Sequence, residues 1–158
     1  MAAAGEAVIV PVGRLFVGTV ALVVLLTGCG GDDLSAEEEA YLQRVRATRD
    51  VVGDSLGRFA ALTAEPRLGD TTWNQAVRDE TFLWEAAHQD ALVVATPNRF
   101  RELNTKHLQM LSLLSDAAVD HREGMERLDD ALIRRATDRI NRAAQVADEV
   151  ASLLDEAD

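Results

Sequence analysis

The chain has 158 residues, with 16 Lys or Arg against 27 Asp or Glu, a net charge of −11, 47% apolar residues, 4% aromatic residues and one cysteine. This length fits one modest domain, and a negative charge without a basic block argues against nucleic acid as a partner and against membrane binding by charge alone. The low aromatic content favours an all-α fold over a β-sandwich or barrel.

The first predicted element is a secretion signal. Residues 15–26 form an uncharged apolar run that follows Arg14, and twelve residues are short for a membrane span but typical of the core of a signal peptide. The tetrad Leu26-Thr27-Gly28-Cys29 resembles the bacterial lipobox, in which small residues precede a cysteine that becomes a diacylglyceryl thioether. We therefore expect residues 1–28 to be a lipoprotein signal peptide and Cys29 to be lipidated.

The alternative is an uncleaved anchor over residues 7–28, a mostly apolar stretch interrupted by Pro11.

If Cys29 is acylated, its lipid chains hold the protein at the extracytoplasmic face of the cell membrane. Acylation also consumes the only thiol, so the mature chain has no cysteine for a disulfide, a metal or catalysis. Residues 29–34 then form the lipidated, flexible tether, and residues 35–158 form the folded domain.

Two helices are predicted first in this domain. The first begins at Ser35, where Glu38 completes a capping box, and ends at Glu65-Pro66. The second begins near residue 70, where Thr72 and Gln75 form another candidate capping box, and it ends at Thr96-Pro97. Apolar residues recur every three or four positions in both segments, which is the helical period.

Two further helices complete the predicted fold. Thr96 is the expected N-cap of the third, with Pro97 at its first position. Gly124 either loosens the third helix or stops it, and Asp129 caps the fourth. The four segments are nearly equal in length and are joined by short connections, which predicts an up-down four-helix bundle.

A metal site is a weak candidate in this bundle. Glu85-Ala-Ala-His88 matches the Glu-x-x-His element of di-iron bundles, which need two such elements and two further Glu residues. The chain has no second Glu-x-x-His. We therefore expect no metal and no cofactor, and retain Glu85, His88, His107 and His121 only as low-ranking candidate ligands.

His107 and His121 lie on the apolar face of the third helix, fourteen residues apart. A helical rise of 1.5 Å per residue separates them by about 21 Å, too far for one metal ion. We expect each to be a hydrogen-bonded histidine at the boundary of the core, with a carboxylate such as Glu80 as a candidate partner. The alternative is a ligand- or metal-binding interior with His88, His107, His121 and Glu80 as its polar lining. Such an interior requires a cavity of about 300 Å³ or more with convergent polar groups.

Catalytic motifs are missing from the sequence. It contains no Gly-x-Ser-x-Gly, no phosphate-binding glycine loop, no His-Glu-x-x-His and no haem-attachment motif. We expect the protein not to be an enzyme.

The lipobox, the Gly-Asp tether at residues 30–33 and the acidic, Ala/Leu/Arg-rich helical region together resemble small, uncharacterised bacterial lipoproteins. Pro97 and Phe100 followed by His107 before an apolar run are similar to a segment of such proteins. The resemblance implies location and fold, namely a lipid-anchored helical bundle in the cell envelope. We expect this bundle to act as a binding or structural module there, with an unknown envelope protein or ligand as its partner.

Overall fold

The computed structural model describes residues 34–157. In this range the chain forms four α-helices and no β-strand: α1 (Ala36–Ala64), α2 (Thr71–Leu92), α3 (Arg101–Arg127) and α4 (Asp130–Asp155), with a 3₁₀ turn at Asn98–Phe100. Each helix packs on the next in chain order, and the interface of α3 with α4 is the most extensive. The predicted all-α, up-down four-helix bundle is confirmed.

The start of α1 and the start of α4 agree with the sequence. Ser35 Oγ accepts the Glu38 backbone N–H at 3.2 Å, and Glu38 Oε2 accepts the Ser35 N–H at 2.9 Å. Asp129 Oδ1 accepts the N–H groups of Ala131 and Leu132. Both caps therefore satisfy amides that the first helical turn leaves unpaired.

The predicted cap of α2 was wrong. Asp70 is the N-cap, and its Oδ1 accepts the N–H groups of Thr72 and Trp73. Thr72 thus lies inside the helix, and Gln75 donates to Asp79 instead of closing a box. A carboxylate at this position also interacts favourably with the helix dipole.

The junction between α2 and α3 also differs from the prediction. α2 ends at Leu92, well before Thr96. Pro97 is extended (φ −60°, ψ 145°), and Phe100 N–H bonds to its carbonyl at 3.0 Å, so a 3₁₀ turn precedes α3 and Thr96 caps nothing. Residues 93–99 between the two helices are half-buried or exposed, and Val93 is 85% exposed.

Gly124 does not stop α3, which continues to Arg127. A Cβ at Gly124 would lie 2.8 Å from Ile133 Cδ1 and 3.1 Å from the Ile133 backbone nitrogen, so the glycine permits a close approach of α4. Leu128 caps the end of the helix, and its φ of 53° places it in the left-handed region that favours glycine. Asp129 follows at once as the cap of α4.

The core has two parts along the bundle. The larger part lies around Trp84, Leu111 and Leu114, and the smaller lies around Leu42, Leu103 and Val150. Leu34, which the sequence assigns to the tether, packs against the smaller part. Ser55 is buried in the larger part, where its hydroxyl accepts the Trp84 Nε1–H at 2.9 Å.

A buried carboxylate joins α3 to α4. The Asp120 side chain is 6% exposed and accepts from Arg135 Nε at 2.7 Å and from Arg139 Nη1 at 2.5 Å. The hydrogen bond from Arg135 is the main cause that lowers the pKa of Asp120. These contacts fully occupy the carboxylate and mark it as a structural group of the interface.

Candidate functional site: two cavities with a buried histidine each

Two of the cavities on the bundle are lined by a buried histidine, one near each end. The His107 cavity has a volume of about 360 Å³ and lies between the start of α1, the end of α2 and the start of α3. The His121 cavity has a volume of about 440 Å³ and lies beside the α1–α2 connection and the α3–α4 turn. Both volumes exceed the 300 Å³ or so that an interior ligand site requires.

The floor of the His107 cavity is buried and its rim is exposed. Tyr41, Val45, Ala91 and His107 form the floor, whereas the rim includes Arg44, Asp90 and Val93. The cavity is therefore open to solvent on one side, with a largely apolar lining and a charge of each sign at its entrance.

Tyr41 and Asn104 form the first polar group of this cavity. The Tyr41 hydroxyl donates to Asn104 Oδ1 at 3.2 Å, and the Tyr41 ring stacks on Phe100 with centroids 5.8 Å apart. Burial raises the pKa of Tyr41 to about 12. The phenol is therefore neutral at pH 7 and has a fixed orientation.

His107 is the second polar group. It is 4% exposed, and its Nε2 is buried without a hydrogen-bond partner. Burial lowers the pKa of His107 to about 4, so the imidazole is neutral at pH 7. A buried polar atom without a partner costs about 1–3 kcal/mol of stability.

The polar side chains of the His121 cavity are largely paired with one another. Arg78 contacts Glu126 at 3.3 Å, Arg122 pairs with Glu85, and Asn74 Nδ2 donates to a backbone carbonyl at 3.2 Å. Both ion pairs link α2 to α3 along the wall of the cavity.

His121 is the exception in that cavity. It is 6% exposed and packs edge-on against Phe59, with ring centroids 5.0 Å apart, and its Nδ1 has no partner. Burial, together with the neighbouring Arg122 guanidinium, lowers the pKa of His121. We expected His107 and His121 to be hydrogen-bonded at the boundary of the core. This was wrong for His107 Nε2 and His121 Nδ1, because helix packing buries both rings without supplying partners for these two atoms.

Glu80 does not pair with either histidine. Arg58 donates two hydrogen bonds to its carboxylate, at 2.7 and 3.0 Å, and these contacts lower its pKa. Glu80 is therefore held by α1 and unavailable to line a cavity.

The four low-ranking metal candidates do not converge. Glu85 is paired with Arg122, His88 is half-buried on α2, and His107 and His121 line different cavities. Among residues 34–157, no group of three or more His, Cys, Asp or Glu side chains is placed to hold a metal ion. Cys29 and the tetrad Leu26-Thr27-Gly28-Cys29 lie outside the described residues.

Sequence reasoning overlooked Tyr41, Arg44 and Asn104 as residues of a site. One signal was available, because Asn104 precedes His107 by three positions and so shares its helix face. Tyr41 belongs to the buried pattern of α1 and is the only tyrosine of the chain. Its proximity to Asn104 depends on how α1 packs on α3.

Comparison with known proteins adds no relative. No protein-family model matches the chain, and it has no significant match among curated proteins or solved structures.

Proposed function

We propose that this protein is a lipid-anchored, extracytoplasmic binding module of the cell envelope. The observation that carries the proposal is the sequence Leu26-Thr27-Gly28-Cys29 after an apolar run, six residues before the helical cap at Ser35. No helix in the range 34–157 combines the length and apolar character that crossing a bilayer requires. Acylation at Cys29 would supply the membrane attachment, and the helical domain would supply the binding surface.

The tether limits where this module can act. Five residues lie between Cys29 and Ser35, and the six steps from one to the other span at most about 20 Å when fully extended. A lipidated chain would therefore keep its helical domain within a short distance of the bilayer, where it would meet membrane-associated proteins or small amphipathic molecules.

The test of anchoring is a palmitate-labelling experiment on Cys29→Ala in the bacterial host. We expect loss of the label and accumulation of a larger precursor, since acylation and cleavage both act at this residue. Ser152→Ala, on an exposed position of α4, is the matched control and should be labelled and processed normally. Continued labelling of Cys29→Ala would contradict the proposal.

A second function is favoured by the His107 cavity: binding of a small ligand inside the bundle. The observation behind it is a cavity of about 360 Å³ lined by Tyr41, Asn104 and His107, in which the Asn104 amide nitrogen has no partner among residues 34–157. Native mass spectrometry of the protein purified from its own membrane tests this function. A reproducible added mass that is released on denaturation supports it, and only the mass of the lipidated chain would count against it.

A further inference from the structure

We infer that the His107 cavity binds a small, uncharged molecule that has an aromatic or branched apolar body and a single hydrogen-bonding head group, such as a hydroxyl or an amide. This inference rests on the second function above and gives it a site and a ligand class. The volume of the cavity, its polar groups and the charge of its lining each support the inference.

The size of the cavity sets the size of the ligand. A volume of about 360 Å³ is more than twice the roughly 150 Å³ cavity that accommodates benzene. Val45, Ala91 and Val94 provide apolar walls. A body of about two fused rings, or a branched chain of similar volume, fits this space.

The polar groups define the head group. Asn104 is half-buried and uses its Oδ1 to accept from the Tyr41 hydroxyl, while its amide nitrogen has no partner among residues 34–157. The Tyr41 oxygen can still accept a hydrogen bond. A hydroxyl or an amide can donate and accept at once, so it matches the Asn104 amide nitrogen and the Tyr41 oxygen together. A purely apolar ligand would leave both without a partner.

The charge of the lining excludes an ion at the floor. The two titratable side chains of the floor, Tyr41 and His107, are neutral at pH 7, and burial of an unpaired charge beside them is costly. Arg44 and Asp90 at the rim have opposite signs. They therefore attract neither a net anion nor a net cation.

The His121 cavity is the less suitable of the two, although it is larger. Ion pairs of Arg78 and Arg122 already occupy the charged groups of its wall. A ligand there would compete with these contacts, whereas a ligand beside His107 would add contacts that the protein lacks.

The test uses the only tyrosine as a reporter inside the cavity. Full-length protein in detergent, with ¹³C-labelled tyrosine and ¹⁵N-labelled histidine, is titrated with 2-naphthol while NMR signals of Tyr41, His107 and His121 are followed. Naphthalene and 2-naphthoate serve as matched probes without a hydroxyl and with a charge. The free concentration of each probe is measured in protein-free detergent, because the three probes partition differently into micelles, and affinities are expressed on that free concentration.

We expect 2-naphthol to shift the Tyr41 and His107 signals in a saturable manner and to leave His121 unchanged, with apparent affinity about tenfold above that of naphthalene or 2-naphthoate. A tenfold ratio corresponds to roughly one net hydrogen bond. Shifts of His121 alone would overturn the assignment of the site while leaving interior ligand binding in place. No saturable shift at either histidine would overturn the inference, and equal affinity for 2-naphthol and naphthalene would overturn the head-group requirement.

Two variants separate binding from folding. Ala91→Leu fills the cavity without removing a polar group, and it should abolish the Tyr41 shift. Asn104→Ala should reduce the preference for 2-naphthol over naphthalene to within about threefold. His121→Leu is the matched control and should retain the full Tyr41 response, and circular dichroism confirms that each variant is helical. An unchanged response in a folded Ala91→Leu variant would overturn the assignment.

Discussion

His107 and His121 occupy the same face of the same helix, and both are almost fully buried with one nitrogen unpaired. Their surroundings differ. The wall around His121 is held by ion pairs between side chains of α2 and α3, whereas the polar groups around His107 form one hydrogen bond, from Tyr41 to Asn104. Two equally buried histidines therefore lie beside different walls: two ion pairs cross the wall at His121, and a single side-chain hydrogen bond crosses the wall at His107.

The largest expected effect is a dependence of stability on pH through His107. Its pKa falls from an ordinary 6.5 to about 4 in the folded protein, so the unfolded chain binds this proton first as the pH is lowered. The neutral His107 imidazole contributes fully to stability above pH 6.5. This contribution, roughly 3 kcal/mol of unfolding free energy, is lost as the pH falls toward 4. His107→Leu should remove this component from the free energy of unfolding, measured by urea titration at several pH values.

His121→Leu provides the comparison for that measurement. The pKa of His121 is lowered as well, by burial and by Arg122, so this variant should also flatten the pH dependence. An unchanged pH dependence in His107→Leu would show that His107 is protonated without cost in the folded state, which would contradict its burial.

A smaller effect is expected from Gly124→Ala at the His121 end. The new Cβ would meet Ile133 at 2.8 Å, so α4 or its side chain must shift, with a loss of about 1–2 kcal/mol. Gly57→Ala is the matched control, since a Cβ there meets nothing within 4 Å, and it should raise stability by about 0.5–1 kcal/mol through helix propensity. Urea midpoints measure both, and the Tyr41 NMR signal should stay unchanged in Gly124→Ala if the two ends are independent.

Leu128→Gly should stabilise the protein by about 0.5–1 kcal/mol. Leu128 is 79% exposed and has a φ of 53°, so glycine relieves backbone strain at little cost in buried surface. Leu128→Ala keeps the Cβ and should give no such gain. If Leu128→Gly lowers the thermal midpoint instead, the exposed leucine makes a contact that outweighs its strain.

The smallest expected effect is that of chelation, for which we expect no change. Glu85, His88, His107 and His121 do not converge on one point in the described structure, so EDTA should leave the melting temperature of the untagged protein unaltered. A metal bound only to the folded state at a hundredfold excess over Kd would add about 2.7 kcal/mol. Stoichiometric metal by elemental analysis, with a lower melting temperature after chelation, would contradict this prediction.

Much of the fold could be predicted because helix periodicity and capping are local. Ser35 with Glu38, and Asp129, were identified as caps from neighbouring residues alone. The errors at Thr72 and Thr96 arose where several side chains compete for the same backbone amides, as Asp70 does, or where proline takes an extended conformation. The residues of the candidate site were harder to predict, because only His107 was distinctive in its own segment.

The sequence by itself determined the four helices, the faces that they bury and the positions of the two histidines. Only the tertiary structure decided the partners: Glu80 binds Arg58, Glu85 binds Arg122, and Tyr41 meets Asn104. The physical reason is that periodicity places a residue on a helix face, whereas the axial offset and rotation of neighbouring helices determine which side chains meet. The axial offset and the rotation depend on packing summed over the whole interface. The same packing produces the cavity beside His107.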